Sequence, residues 1–171
     1  QKRFNTPADA RILYVRHARA HDRNKWSGDD NLRPLDKKGR RQSEMLVPLL
    51  SAFAPERIYS AVPERCQHTV APLADEMGCE VVVDKQFGDD AWIADMVGAK
   101  HAFKDVIEAG GTSVVCAQGG IIPGIIAWLS AQGTLPIDEE IRAKKASVWV
   151  LTFHDGKLIG ADYIPSPLPV L

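Results

Sequence analysis

Three short stretches of this chain combine residue types that bind and transfer anionic groups. Arg16 and His17 come at the end of one apolar run, Arg65 follows a second, and Gln118 and Gly119 follow a third. An arginine side chain presents a planar fork of N–H donors that matches phosphate oxygens. An unprotonated imidazole can attack phosphorus, and amides at a helix N-terminus add further donors. If the three stretches meet in space, they form a pocket for a phosphoryl group.

The elements that must bring these stretches together are short strands alternating with helices. Strands are predicted at residues 11–16, 57–61, 80–84 and 113–117, and a closing hairpin pairs residues 147–153 with 158–164. This order predicts an α/β fold, a three-layer α/β/α sandwich with a mostly parallel central sheet and an antiparallel edge strand. Ligands of such sheets bind outside the carboxyl ends of the strands, where all three stretches lie.

The helices between these strands have recognisable start and stop signals. Asp36 is suited to cap a helix that runs to about residue 53, and Pro63 suits the first turn of a helix that ends before Gly78. Residues 89–109 are predicted to form a single helix, and another is expected at about residues 122–131.

The composition is that of one ordinary globular domain. The chain has 171 residues, of which 45% are hydrophobic, and its formal net charge of -1 argues against binding to a nucleic-acid polymer. No apolar stretch reaches the roughly 18 residues of a membrane span. The three cysteines lack metal-ligand spacing, so neither a disulfide framework nor a zinc site is expected. Reduced thiols fit a cytoplasmic protein.

The two ends of the chain differ from its centre. Residues 1–10 lack an initiator methionine and an apolar signal core, so they are interpreted as the remnant of a linker in a longer protein. Residues 11–164 form the predicted domain. Residues 165–171 are rich in proline and are expected to form an extended tail.

The motifs around the three stretches resemble those of the histidine phosphatase superfamily, which includes the phosphoglycerate mutases. The resemblance begins with the arginine-histidine signature at residues 13–18 and extends over about residues 11–164. Three further stretches match in the same order: residues 33–39 with Gln42; Ser60 with Arg65, Cys66 and Thr69; and residues 114–120. The resemblance implies a phosphoglycerate mutase-like fold.

The resemblance also implies a covalent, two-step phosphoryl transfer. His17 would accept the phosphoryl group as a phosphohistidine, which water then hydrolyses, while Arg16 and Arg65 hold its oxygens. Asp89 best matches the acid that protonates the leaving oxygen, with Asp90 as the alternative; either could instead cap the following helix. None of these steps requires a metal or a cofactor.

Gln118 departs from the family pattern, which has a second histidine at this position. A glutamine amide can donate a hydrogen bond, but it cannot carry positive charge. Two interpretations therefore stay open, a working enzyme that is tuned differently and a phosphate-binding regulatory domain without catalysis. Gly119 would contribute to the same phosphate site.

Basic residues elsewhere in the chain could steer a polyanion toward this pocket. Lys25 and Lys145 could reach its mouth, although each could equally be solvated. A further basic group surrounds the first helix start and is interpreted either as a solvated face or as a collar for a nucleotide: Arg33, Lys37, Lys38, Arg40 and Arg41.

The leading hypothesis is a phosphohydrolase that acts on nucleotide phosphates, including oxidised guanine nucleotides. The departure at Gln118 and the loop at residues 26–30 are similar to a group of fusions in which a MutT-like Nudix domain precedes the histidine phosphatase domain. An N-terminal Nudix partner is therefore expected, although its own signature is absent from this chain. The alternative enzyme is a protein phosphohistidine phosphatase.

Overall fold

The computed structural model describes residues 8–133, 135–137 and 140–167. In these ranges the strands are β1 (Ala10–Arg16), β2 (Arg57–Ser60), β3 (Val81–Val83), β4 (Gly111–Ala117), β5 (Val148–His154) and β6 (Lys157–Ile164). The α-helices are α1 (Lys37–Ser51), α2 (Glu64–Met77), α3 (Asp89–Ala94), α4 (Met96–Ala109) and α5 (Ile121–Gln132).

The strands form one sheet in the order β3-β2-β4-β1-β5-β6. The pairs β1/β4, β2/β4 and β2/β3 are parallel, whereas β5 runs antiparallel to both β1 and β6. The predicted fold class is therefore confirmed, with both strands of the closing hairpin in the antiparallel part.

The strand order determines which face of the sheet each helix covers. From β1 to β2 and on to β3 the chain moves toward one edge of the sheet, and from β3 to β4 it returns. Because crossovers between parallel strands are right-handed, α1 and α2 cover one face and α4 covers the other. Accordingly, α1 packs on α2, and Tyr14 of β1 contacts Phe103 of α4 with ring centroids 5.1 Å apart.

The helix boundaries follow the predicted signals. The Asp36 carboxylate accepts a hydrogen bond from the Gly39 backbone N–H at 2.7 Å, so Asp36 caps α1 as expected. Gly78 ends α2 in the left-handed conformation, at φ 67°, which glycine adopts without the steric cost of a side chain.

The prediction of one helix at residues 89–109 was wrong. The chain breaks between α3 and α4 at Asp95, whose φ of -151° is extended rather than helical. The Asp95 carboxylate accepts a hydrogen bond from the Gly98 N–H at 3.0 Å and so caps α4. The Asp95 cap stabilises a new helix start at this point, because its carboxylate accepts a hydrogen bond from a backbone N–H that has no partner within the helix.

The predicted end segments lie partly outside the described residues. This applies to residues 1–7 of the linker and residues 168–171 of the tail. No described helix has the length and apolar character needed to cross a membrane.

Candidate active site

The site lies where the chain leaves β1 and β4 in opposite directions. These strands are neighbours and parallel, and Arg16 is level with Ala117, so the residues after both strands lie side by side. The His17 N–H donates to the Ala117 carbonyl oxygen at 3.0 Å. In a sheet of this kind, such a reversal opens a crevice for ligands.

His17 has an unprotonated nitrogen. Its side chain is buried, and Nδ1 lies 2.8 Å from the Ala18 carbonyl oxygen. A carbonyl oxygen only accepts, so Nδ1 carries the proton and Nε2 keeps its lone pair. Burial lowers the pKa of His17 to about 3; the Ala18 contact opposes this, while Arg65, Arg16 and Lys145 reinforce it.

A buried hydroxyl fixes the loop that carries His17. Thr69 of α2 accepts a hydrogen bond from the Ala18 N–H at 2.8 Å and donates one to the Arg65 carbonyl oxygen at 2.6 Å. The imidazole and the start of α2 are thereby held by a single side chain. Thr69 is a positioning residue whose role in this link becomes visible only in the structure.

Arg16 lies against the loop after β4. Its Nη1 donates to the Ala143 carbonyl oxygen at 2.6 Å. A Cβ added at Gly119 would lie 2.7 Å from the Arg16 guanidinium carbon, so the guanidinium can keep this position only if residue 119 is glycine. Burial lowers the pKa of Arg16 from its ordinary value, and the negative charge of Asp89 opposes that change.

Arg65 is almost fully buried, at 2% exposed, and its fork is already occupied. Nη1 donates to the Asp30 backbone carbonyl at 2.9 Å, and Nη2 lies 3.1 Å from the Asp30 carboxylate. Arg65 is near enough to His17 to lower its pKa. It does not, however, line the cavity that Arg16 and His17 line.

Gln118 and Asp89 connect two helix starts behind the site. The Gln118 Oε1 accepts a hydrogen bond from the Asp89 N–H at 2.9 Å. The Asp89 carboxylate in turn accepts one from the Ile121 N–H at 2.8 Å. Asp89 therefore caps α5 rather than the helix that it begins, and the Gln118 amide nitrogen is the group left to donate.

Asp90 points to a different part of the surface. It lines a separate cavity of about 320 Å³ together with Val62 and Lys85, and Gln118 also contributes to the wall. Neither His17 nor Arg16 lines this second cavity.

The cavity next to His17 has a volume of about 470 Å³ and a basic lining. Its cationic members are Arg16, Arg19, Arg23, Arg33 and Lys145. Of the two lysines singled out in the sequence, Lys145 lines the cavity, whereas Lys25 is exposed outside its lining. Of the basic group at the first helix start, only Arg33 lines it, and Arg33 is buried.

Sequence reasoning missed Arg19 and Arg23, although Arg19 stands only two positions after His17. Within the described residues, no cluster of three or more His, Cys, Asp or Glu side chains has the spacing to hold a metal ion.

The fold and the site together define an α/β protein with a buried neutral imidazole beside a cavity lined by basic residues. Residues 12–92 match the family model of the histidine phosphatase superfamily (branch 1). A curated relative, the 8-oxo-(d)GTP phosphatase of Mycolicibacterium smegmatis, is 38% identical over 162 residues, or 94% of this chain. The chain spans about half, 50%, of the length of that relative.

Solved structures share the fold at low sequence identity. The protein histidine phosphatase SixA complexed with tungstate aligns with a TM-score of 0.74 and 16% identity, covering 92% of this chain and 97% of that one. The alpha-ribazole phosphatase from Shigella flexneri aligns with a TM-score of 0.65 and 16% identity, covering 94% and 98%.

Over residues 12–92 the chain is therefore similar to the histidine phosphatase superfamily, and it shares the fold of these solved structures. The match over residues 12–92 supports the family predicted from the sequence.

Proposed function

We propose that this chain is a phosphohydrolase that transfers a phosphoryl group from a nucleotide phosphate first to His17 and then to water. The observation that carries the proposal is the state of His17, a buried neutral imidazole with Nδ1–H held by Ala18 and with basic residues around the adjacent cavity. Such a group is an activated nucleophile that needs no base to remove a proton first.

In the first step, the Nε2 lone pair of His17 forms a bond to phosphorus as the bond to the leaving oxygen breaks. Asp89, in its protonated carboxylic acid form, is the proposed proton donor to that oxygen and becomes a carboxylate as it gives up the proton. It lies near enough to Arg16 to act on the pKa of that residue. In the second step, water attacks phosphorus, the N–P bond breaks, and the Asp89 carboxylate takes the proton from water. His17 returns to its neutral state.

Arg16, Arg65 and Gln118 are the proposed holders of the phosphoryl oxygens, with Gly119 allowing Arg16 to approach. The Nε–H groups of Arg16 and Arg65 are buried without a hydrogen-bond partner among the described residues. A buried donor without an acceptor costs roughly 1–3 kcal/mol. A bound oxyanion would supply acceptors, and Arg65 would then exchange its contacts with Asp30 for phosphoryl oxygens.

The nucleotide part of the proposal rests on the curated relative, which is named as an 8-oxo-(d)GTP phosphatase. Oxidised guanine nucleotides are therefore the first substrates to test. The proposal also includes an N-terminal Nudix domain in the longer protein, as in the fusions that the sequence resembles. Determining the full-length sequence tests that part directly.

The test of the activity is phosphate release from a substrate panel. The panel contains nucleoside mono-, di- and triphosphates, their 8-oxoguanine forms and a phosphohistidine peptide. Nucleotides should be hydrolysed, and His17→Asn should reduce kcat/KM at least about 10³-fold because the nucleophile is lost.

The matched control is His101→Asn, since His101 is an exposed residue of α4 whose side chain is 78% accessible. It should retain wild-type activity. Turnover of the peptide with no turnover of any nucleotide would contradict the proposed substrate class. Full activity of His17→Asn would contradict the mechanism.

A further inference from the structure

The cavity beside His17 holds more positive charge than one phosphoryl group requires. Three of its cations are already paired: Arg19 lies 2.8 Å from the Asp36 carboxylate, and Arg33 and Arg23 lie 2.9 and 3.8 Å from that of Asp30. Lys145, in contrast, has no ion pair within the part of the chain that the structure describes.

Lys145 lies among like charges. Burial lowers its pKa from the ordinary value, and Arg16, Arg19 and Arg33 lower it further, while Asp36 opposes them. An ammonium group in such surroundings is stabilised by any anion that enters the cavity. Besides Arg16, which the proposed function assigns to the transferred phosphoryl group, the described lining thus leaves Lys145 available to a ligand.

The backbone fixes Lys145 close to the reacting imidazole. The next residue, Ala146, is fully buried with φ at 61°, an uncommon left-handed conformation for a residue other than glycine. Its N–H is shared between the Arg16 and His17 carbonyl oxygens at 3.1 and 3.2 Å. Together with the Arg16 bond to Ala143, these contacts tie residues 143–146 to the end of β1.

We propose that Lys145 binds the phosphate next to the one that is transferred, so that the site favours phosphoanhydrides over phosphate monoesters. This inference rests on the proposed function, in which the transferred group is bound at His17 by Arg16, Arg65 and Gln118. The size of the cavity supports it, since about 470 Å³ lies in the range of sites that enclose whole small-molecule ligands.

The inference is tested by comparing pyrophosphate with orthophosphate as ligands. Calorimetry on the 171-residue chain would measure both affinities in wild type and in Lys145→Met. The variant should bind pyrophosphate at least about tenfold more weakly, the usual size of a lost charged hydrogen bond. Its affinity for orthophosphate should fall much less, and Lys145→Arg should restore most of the pyrophosphate affinity.

The matched control is Lys144→Met. Lys144 is an exposed neighbour whose backbone N–H donates to the Tyr163 hydroxyl, and it does not line the cavity. It should bind both ligands as wild type does. Equal weakening of both ligands in Lys145→Met, or no weakening of either, would overturn the second phosphate site.

Kinetic measurements distinguish a failure of the second phosphate site from a failure of the proposed function. The ratio of kcat/KM for a nucleoside diphosphate over the matching monophosphate should fall about tenfold in Lys145→Met. If wild type hydrolyses neither nucleotide but still distinguishes the two ligands through Lys145, the second phosphate site is supported and the proposed function fails.

Discussion

At the scale of single residues, the chemistry of the site depends on keeping His17 neutral. Charged imidazole is disfavoured because the side chain is buried and because Arg65, Arg16 and Lys145 add positive charge. The same cations that would bind the substrate therefore also preserve the nucleophile. Its lone pair should stay available through the ordinary acidic range, since the pKa is about 3 rather than near 6.5.

This depressed pKa predicts how stability varies with pH. Unfolded His17 has an ordinary pKa of about 6.5, so between pH 6.5 and 3 the unfolded chain binds a proton that the folded chain does not. Stability contributed by His17 is present above pH 6.5 and is lost as pH falls. Between pH 6.5 and 4.5, the free energy of unfolding of wild type should fall by about 2–3 kcal/mol more than that of His17→Asn.

Urea denaturation of both proteins at the two pH values measures this difference. The comparison uses the change in the free energy of unfolding between the two pH values. The effect of the substitution on stability at pH 6.5 therefore cancels. Identical pH dependence in the two proteins would show that His17 titrates normally.

Gln118 has one observed contact, with the Asp89 N–H, and one proposed role as a donor to the phosphoryl group, and a single substitution can distinguish the two. Gln118→Glu keeps an oxygen for the Asp89 N–H but replaces the amide donor with an acceptor of negative charge. We expect kcat/KM to fall about 10²–10³-fold, the usual effect of losing a donor to developing negative charge. The melting temperature should change little.

Steady-state kinetics and thermal melts on the same preparations provide the measurement. Gln118→Leu is the comparison, because it removes both the contact and the donor and should lower stability as well as activity. A Gln118→Glu variant as active as wild type would favour the interpretation in which Gln118 only connects α3 to α5.

At the scale of the elements, the loop after β4 is shaped by close contact with Arg16. Gly119 leaves room for the guanidinium, and Gly120 leaves room for the Asp89 carboxylate, which a Cβ there would approach to 2.9 Å. Neither glycine has a positive φ, so backbone conformation does not explain why glycine occurs at these positions. What the two glycines provide is room for the neighbouring side chains of Arg16 and Asp89. The β4–α5 loop thus sets the positions of two side chains from other elements.

Gly119→Ala should misplace the Arg16 guanidinium, because the added methyl group would overlap it. We expect kcat/KM to fall about 10²-fold, since displacement of a positioning group by about 1 Å has effects of that size. Gly160→Ala is the control; its Cβ would meet Thr152 at an ordinary 3.5 Å. Steady-state kinetics on both variants measure this fall in kcat/KM. Equal activity of the two variants would contradict the proposed role of Arg16.

Local signals predicted most of the elements well. The start of α2 at Pro63 and its end at Gly78 could be predicted because proline and glycine act on the backbone where they stand. The break at Asp95 was missed because the apolar pattern continues through it. An aspartate three residues before Gly98 was the available signal for a new helix cap.

At the scale of the whole molecule, the topology brings the site together. The strand order makes β1 and β4 neighbours, so the sequence motifs at their ends meet although they are separated by about 100 residues. The alternation of strands and helices predicted that the segments after β1 and β4 lie side by side. It could not predict the partners supplied by irregular segments.

Asp30 and Lys145 are two residues whose contacts could not be predicted from the sequence. Asp30 pairs with Arg65 from a loop 35 residues earlier in the chain, and residues 143–146 reach Arg16 from 127 residues away. Neither segment has a periodic pattern that fixes its place, so their contacts depend on the packed sheet. The cation cluster of the cavity is therefore a result of the tertiary structure.

The central claim is that His17 becomes covalently phosphorylated during turnover. The most direct measurement is rapid acid-free quenching of the enzyme with a nucleotide labelled with ³²P in its terminal phosphate, followed by peptide mapping. We predict label on the peptide that contains His17, stable to alkali and lost in acid, and none in His17→Asn. Phosphate release by wild type with no label on His17 at any time would contradict the account.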